Sequence, residues 1–169
     1  MKNLTTKMMA QGAVIAAVYV VLTLAFAPIS FGAVQFRISE ALCILPYFTS
    51  AAIPGVSVGC LLANILGGAA LPDIIFGTLA TLIGAVLSYR LRNVSKWMVC
   101  VPPIVANTII IPFVLKYAYG FHDAVLYMMF TVGIGEIIAV AVLGNLLMLA
   151  IEPKSNFIFG NENRIYQKI

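Results

Sequence analysis

Six polar side chains interrupt the long apolar stretches of this chain, and they are the residues best placed to do chemistry. They are one guanidinium, three carboxylates and two carboxamides, at Arg37, Glu40, Asn64, Asp73, Asn107 and Glu136. A charged side chain at the centre of a membrane helix costs about 2.5 kcal/mol or more. A sequence that keeps such groups there usually does so for a ligand, an ion path or an internal pair.

The chemistry that these groups favour is hydrogen bonding to a small polar ligand. A carboxylate can accept two parallel N–H bonds, which suits a guanine-like edge or an amine, and carboxamides can satisfy the remaining donors and acceptors. Aromatic faces could also stack on a flat ligand, and the candidates are Phe36, Phe76, Tyr117 and Tyr119.

The amino-acid composition indicates the class of protein to which these residues belong. The chain has 169 residues, of which 62% are hydrophobic and 9% charged, and its mean hydropathy is +1.05. A soluble domain has about 25% charged residues. The whole chain, residues 1–169, is therefore interpreted as a single integral membrane domain, all-α, in contact with the lipid bilayer.

The apolar runs predict six membrane spans, since each span needs about 20 mostly apolar residues. Their approximate bounds are 11–26, 38–51, 53–69, 73–91, 97–117 and 124–151, and residues 152–169 form a polar tail. Pro46 inside the second span favours a kink. The irregular loop between the first two spans, which leads to Phe36, is long enough to fold over a pocket mouth.

Two of the polar residues have plausible structural roles. Arg37 and Glu40 are three residues apart and could pair on one helix face. Asp73 follows Pro72 and would occupy the first turn of the fourth span, where the helix dipole favours a carboxylate. A salt bridge and a cap therefore compete with a ligand role for Arg37 and Asp73.

The distribution of Lys and Arg predicts the orientation. With six spans, the N-terminus, the loop around Arg92 and the tail share one side and hold eight of the ten basic residues, which leaves Arg37 and Lys116 on the other. The positive-inside rule then places both termini in the cytoplasm. This bias explains the net charge of +4 without nucleic acid. It also puts the polar residues in a pocket open to the outside.

The sequence lacks the residues that several classes of activity require. There is no Gly-x-x-x-x-Gly-Lys-Ser/Thr phosphate loop, no cluster of metal ligands, and only one histidine, His122. An enzyme, a metal site and a cofactor are therefore not expected. Six spans are also few for a protein that must open to both sides alone. A binding subunit with an energy-supplying partner fits better.

Three segments resemble the QueT family, the substrate-binding S components of energy-coupling factor (ECF) transporters. They are residues 36–42 (FRISEAL), 59–64 (GCLLAN) and 73–81 (DIIFGTLAT). The resemblance implies a six-helix bundle in a bacterial plasma membrane, with cytoplasmic termini. It implies uptake of a queuosine precursor, either a 7-deazaguanine such as preQ1 or queuine, driven by a coupling membrane subunit and two ATPases.

The resemblance also bears on the first span. Gly12 with Ala16, and Ala13 with Ala17, form a stripe of small residues against which another helix can pack closely. By itself the stripe favours a partner helix inside this chain. S components carry an Ala-x-x-x-Ala stripe for the coupling subunit, and Ala13 and Ala17 match it.

Within this resemblance we assign roles by depth and chemistry. Glu136 and Glu40 are the best candidates for the guanine-like edge or the aminomethyl cation, and Asn64 and Asn107 would complete the hydrogen bonding. Arg37 and Asp73 are second choices, and Phe36 would stack on the ligand or close the mouth. The alternatives are an S component for another vitamin-like heterocycle and a stand-alone carrier of small solutes.

Overall fold

The computed structural model describes residues 2–31 and 36–160, and in that part every regular element is a helix. The α-helices are α1 (Lys2–Ala25), α2 (Ala27–Ser30), α3 (Ala52–Leu66), α4 (Leu71–Leu91), α5 (Val101–Ala118), α6 (Val125–Glu136), α7 (Asn145–Ile151) and α8 (Ser155–Phe159). Short 3₁₀ turns cover Lys96–Cys100 and Glu152–Lys154, and two longer irregular helices are described below. Residues 32–35 of the predicted mouth loop and residues 161–169 of the predicted tail lie outside the described residues.

Four helical runs are long and apolar enough to cross a membrane. They are Thr6–Ala25, Leu71–Leu91, Lys96–Ala118 and Val125–Phe159. The protein is therefore an all-helical, multi-pass membrane protein. Two further apolar helices, Ile38–Tyr47 and Ala52–Leu66, are shorter. They occupy the places of the predicted second and third spans.

The predicted second span is a 3₁₀ helix rather than an α-helix. It covers Ile38–Tyr47, and we call it the 3₁₀ segment. Pro46 lies inside it and has no N–H to donate, and the helix ends one residue later. Eight successive residues, 39–46, are buried, because α1, α3, α4 and α7 all contact this segment. Irregular backbone at membrane depth is tolerated where protein encloses it in this way.

The last of the four long helical runs, Val125–Phe159, contains a helical segment that is wider than an α-helix. Residues Ile137–Gly144 form a π-helix, the π segment, between α6 and α7. The π segment packs so closely on the 3₁₀ segment at Gly144 that a side chain would not fit there. A Cβ atom on Gly144 would lie 2.9 Å from Ile44 Cγ2. Glu136 is the residue immediately before the π segment. Single π turns inside α-helices are frequent at functional sites.

The small residues of α1 point in two directions. Gly12 and Ala16 are buried against α3, where a Cβ atom on Gly59 would lie 3.1 Å from Ala16 Cα. Ala13 and Ala17 lie on the exposed face of α1. The inward half of the stripe thus has its partner helix within this chain, and the outward half remains available.

The chain after α7 returns to the bundle. Phe159 of α8 is buried and stacks on Phe48, with ring centroids 5.5 Å apart and planes 9° apart. Gln11 Nε2 of α1 donates to the Ile158 carbonyl oxygen at 3.2 Å. The first part of the predicted tail therefore packs beside the N-terminal half of α1, at one end of the bundle.

Close packing of α4 on α5 depends on Gly84. A Cβ atom there would lie 2.8 Å from Pro103 Cα, a backbone atom that cannot move aside easily. We expect Gly84→Ala to destabilise the protein by about 1–3 kcal/mol and to lower its melting temperature in detergent. The matched control is Gly133→Ala, whose Cβ would lie 3.4 Å from Thr108. Removing that helical glycine should leave the melting temperature equal or higher. Equal melting of the two variants would contradict this packing.

Candidate functional site

Four of the six predicted polar residues meet around one small cavity inside the bundle. Its lining consists of Arg37, Glu40, Asn107 and Glu136 together with Ile111 and Val132. Its volume is ≈ 10 Å³, which holds about one water molecule. The sequence predicted a pocket open to the outside, whereas this structure has the polar residues closed around their centre. A ligand the size of a nucleobase enters only if the lining moves apart.

Arg37 is held between two segments at the cavity edge. Its backbone is extended (φ −106°, ψ 106°) just before the 3₁₀ segment, and its side chain is 5% exposed. Nε donates to the Ser30 carbonyl oxygen at 3.3 Å, and Nη2 pairs with Asp73 Oδ2 at 3.4 Å. The predicted pairing with Glu40 was wrong. It assumed that both residues share a helix, but Arg37 precedes the first turn and its side chain reaches α4 instead.

Asp73 lies in the first turn of α4 and is fully buried. Its Oδ2 also accepts a hydrogen bond from the Tyr119 hydroxyl at 3.0 Å, and the Ala70 N–H donates to that hydroxyl oxygen at 3.1 Å. The carboxylate thus bonds to other segments rather than capping its own helix. Partial burial raises the pKa of Tyr119 above its ordinary value, so the hydroxyl stays protonated and can donate. Asp73 Oδ1 has no hydrogen-bond partner in the described part of the chain.

Glu40 has protein donors on both of its oxygens. The Tyr19 hydroxyl donates to Oε1, and the Cys43 thiol donates to Oε2 at 3.0 Å. Cys43 reaches it because residues three apart eclipse each other in a 3₁₀ helix. Sequence reasoning missed Tyr19, since a tyrosine in an apolar run of α1 carries no sign of a partner 21 residues away.

Of the two acids that line the cavity, Glu136 is the one with an unpaired oxygen within the part of the chain that the structure describes. It is 5% exposed, and the Asn107 side chain of α5 faces its carboxylate across the cavity lining. Its Oε2 has no hydrogen-bond partner among the described residues. A buried acceptor without a donor is costly to maintain. Glu136 is therefore the group in the cavity best prepared to accept a bond from a ligand.

Asn64 lies behind the cavity, beside Asp73. It is fully buried, and its Nδ2 donates to the Asp73 carbonyl oxygen at 3.4 Å. Its Oδ1 has no partner in the region that the structure describes. The structure thus places Asn64 with Arg37 and Asp73 in one connected group that borders the cavity.

The aromatic residues are arranged differently from the prediction. Phe36 packs against the main hydrophobic core and does not line the cavity. Phe31, instead, lies beside the polar group, with the Arg37 guanidinium 5.5 Å from its ring centre. Phe76 and Tyr117 line an apolar groove on the outer face of α4 and α5. Nothing in the sequence pattern distinguished Phe31 from Phe36.

The side chains that line the cavity are not those of a metal centre or of a nucleophilic site. Among residues 2–31 and 36–160 there is no group of three or more His, Cys, Asp or Glu side chains that could hold a metal ion. What the arrangement offers is a set of fixed acceptors and one guanidinium, which can bind and orient a small polar molecule.

Comparison with known proteins agrees with the motifs. A family model described as QueT transporter matches residues 9–153. The chain belongs to the QueT transporter family. A curated relative, the Queuosine precursor transporter QueT of Lactococcus lactis subsp. cremoris (strain MG1363), is 36% identical over 91 residues, which are 50% of this chain and 53% of the relative. The match thus spans about half of the relative's length. No solved structure matches the chain.

The bond from Tyr19 to Glu40 can be tested by stability. We expect Tyr19→Phe to cost about 1–3 kcal/mol, because it removes a donor and leaves a buried carboxylate oxygen unpaired. In the Glu40→Gln background the same change should cost less, since the charged acceptor has gone. Thermal unfolding of the purified proteins measures both effects. Tyr127→Phe, at a ring that is 59% exposed, serves as the control. If Tyr19→Phe had the same melting temperature as the wild-type protein, Glu40 would be held by other contacts.

Proposed function

We propose that the protein is the substrate-binding S component of an ECF transporter and captures a queuosine precursor of the 7-deazaguanine class from outside the cell. The observation that supports this most is the open Glu136 oxygen in a buried polar cavity of a QueT-family chain. The name of the Lactococcus relative indicates the same class of ligand. A separate module with two ATPases and a coupling membrane subunit would drive delivery inward.

The charges around the cavity favour a ligand with an amine. Glu40, Asp73 and Glu136 are three carboxylates, and Arg37 is the one guanidinium among the lining residues and their ion-pair partners. Asp73 uses that guanidinium, and Glu40 is satisfied by neutral donors. Glu136 is left to be matched by a cation or by N–H donors. An aminomethyl group on a deazaguanine ring supplies them.

The proposed topology has six spans with both termini in the cytoplasm. The 3₁₀ segment and α3 would complete the bundle beside the four long runs. The basic loop agrees with this, because Lys96 pairs with Glu152 at 3.1 Å at the same end as the α1–α8 contact. Arg37, Asp73 and Tyr119 lie toward the opposite ends of their helices, which would face the outside.

Entry of the ligand requires the outer closure to open. Ser30 and Phe31 on one side and Tyr119 on the other hold Arg37 and Asp73 in place. These contacts come from short connecting segments rather than from the long helices. Loops of this kind move more readily than the elements they join. We place the mouth of the site between them.

The proposed docking surface for the coupling subunit is the exposed half of the α1 stripe. Ala13 and Ala17 are four residues apart and both exposed, so a second helix can approach the α1 backbone closely there. The inward half, Gly12 and Ala16, already holds α3. α1 would thus be packed between the rest of this chain and its partner.

Ligand binding tests the role of Glu136. We expect Glu136→Gln to bind 7-aminomethyl-7-deazaguanine about 10- to 150-fold more weakly, since a hydrogen bond to a charged group contributes about 1.5–3 kcal/mol. Glu40→Gln should lose less, because both of its oxygens already have protein donors. Isothermal titration calorimetry on purified protein measures the affinities. Glu152→Gln, at the other end of the bundle, is the control.

Two outcomes of the calorimetry carry different meanings. Wild-type affinity in Glu136→Gln would remove that residue from the site. Failure of the wild-type protein to bind any queuosine precursor would overturn the proposed function.

Copurification tests the partner surface. We expect Ala13→Trp or Ala17→Trp to abolish recovery of the ATPase and coupling subunits with tagged protein, because an indole keeps the helices apart. Leu126→Trp, at a lipid-exposed position that is 80% exposed, should copurify normally. Uptake of the ligand into liposomes by the purified chain alone would contradict the S-component proposal and favour a stand-alone carrier.

A further inference from the structure

Two buried acceptors of the polar group have no donor, and both belong to residues behind the cavity rather than in its lining. They are Asn64 Oδ1 and Asp73 Oδ1, and each residue is fully buried. Buried acceptors are normally paired, so an orphaned one calls for an explanation. Here the two residues are in contact at the N-terminal end of α4, where Asn64 Nδ2 lies 3.4 Å from the Asp73 carbonyl oxygen.

The contacts made by the rest of each side chain fix these two oxygens. Asp73 Oδ2 is occupied by Arg37 and the Tyr119 hydroxyl, which leaves Oδ1 directed elsewhere. Asn64 Nδ2 donates to the Asp73 carbonyl oxygen. The reverse orientation of that amide would bring two acceptors together, so Oδ1 is held where the structure has it.

Gly77 packs directly against the two side chains. It lies one turn after Asp73 on α4, and a Cβ atom there would lie 3.0 Å from Asp73 Oδ1 and 3.3 Å from Asn64 Nδ2. Any larger residue would press on both groups. We call Asn64, Asp73 and Gly77 the acceptor nook.

The side chains of Ile111 and Arg37 separate the acceptor nook from the cavity around Glu136. Ile111 lines the cavity, and its Cδ1 lies 3.8 Å from the Cβ position of Gly77. Arg37 likewise lines the cavity and pairs with Asp73. A flat ligand that displaces the Ile111 side chain would therefore reach Glu136 at one end and the acceptor nook at the other.

We propose that the acceptor nook is the subsite that reads the amidine edge of the ligand, a ring N–H beside an exocyclic amine, while Glu136 takes the amine at the opposite end. The inference rests on the proposed function, since it assigns the two ends of the same ligand. Two fixed acceptors match an edge with two adjacent N–H donors, and they reject an edge that presents a carbonyl or a bare ring carbon in place of a donor.

The test compares two probes, 7-aminomethyl-7-deazaguanine and its analogue without the 2-amino group, 7-aminomethyl-7-deazahypoxanthine. We expect the wild-type protein to prefer the first by about 10- to 100-fold, because the second leaves a buried acceptor unpaired. Asn64→Leu keeps the side-chain shape and removes the acceptor, so the preference should fall to within about threefold. Gly77→Ala places a methyl group 3.0 Å from Asp73 Oδ1 and should do the same. Glu136→Gln should weaken both probes and keep their ratio.

The outcomes separate this subsite from the proposed function. Full preference in both Asn64→Leu and Gly77→Ala, or equal affinity of the wild-type protein for the two probes, would overturn the subsite alone. Failure of the wild-type protein to bind either probe would overturn the proposed function and the subsite together. Loss of the preference in either variant, with wild-type binding intact, supports the assignment.

Discussion

One guanidinium organises the polar centre of this protein. Arg37 pairs directly with Asp73, and it lines the same cavity as Glu40 and Glu136. Removing one partner of a buried ion pair costs about 3–5 kcal/mol, because the remaining charge is left uncompensated. The segment before the 3₁₀ helix, the end of α2 and the start of α4 are therefore tied to one point. The shape of the bundle at this end follows from that tie.

Backbone irregularity supports the same centre. The 3₁₀ segment is narrow and stretched, the π segment is wide, and the two pack against each other in the interior. Glu40 stands in the first turn of one, and Glu136 immediately precedes the other. Glu40 thus faces the cavity from a 3₁₀ turn, and Glu136 faces it from the last residue of a regular α-helix.

The sequence was sufficient to locate the polar group but not its pairings. Polar side chains in apolar runs are rare enough to single out Arg37, Glu40, Asn107 and Glu136, and the structure places these four around one cavity. The Arg37–Glu40 pair was wrong because spacing was read with α-helical geometry, whereas the segment is a 3₁₀ helix that begins after Arg37. The 3₁₀ geometry of the predicted second span was missed because apolar composition is alike in α- and 3₁₀-helices.

Tyr19 and Phe31 illustrate a further limit of sequence reasoning. Both are aromatic residues in apolar surroundings, and their roles depend on contacts with segments distant in sequence. Tyr19 is enclosed because Gly59 lets α3 approach its ring, and its hydroxyl then meets Glu40. Neither contact leaves a mark on the local pattern of either partner. Contacts of this kind, between residues distant in sequence, are seen only when the helices are assembled.

The two faces of α1 connect the proposed partner surface to the site. Its exposed face carries Ala13 and Ala17, and its buried face carries Tyr19, which donates to Glu40 in the cavity lining. Thr23, one turn further, donates to Ser39 Oγ at 2.7 Å, so α1 is bonded to the 3₁₀ segment at two successive turns. α1 cannot shift against the bundle without breaking these bonds or carrying the 3₁₀ segment with it. The first change removes a donor from Glu40 and the second moves Glu40 itself, so a docking event that shifted α1 would alter the cavity that Glu40 lines.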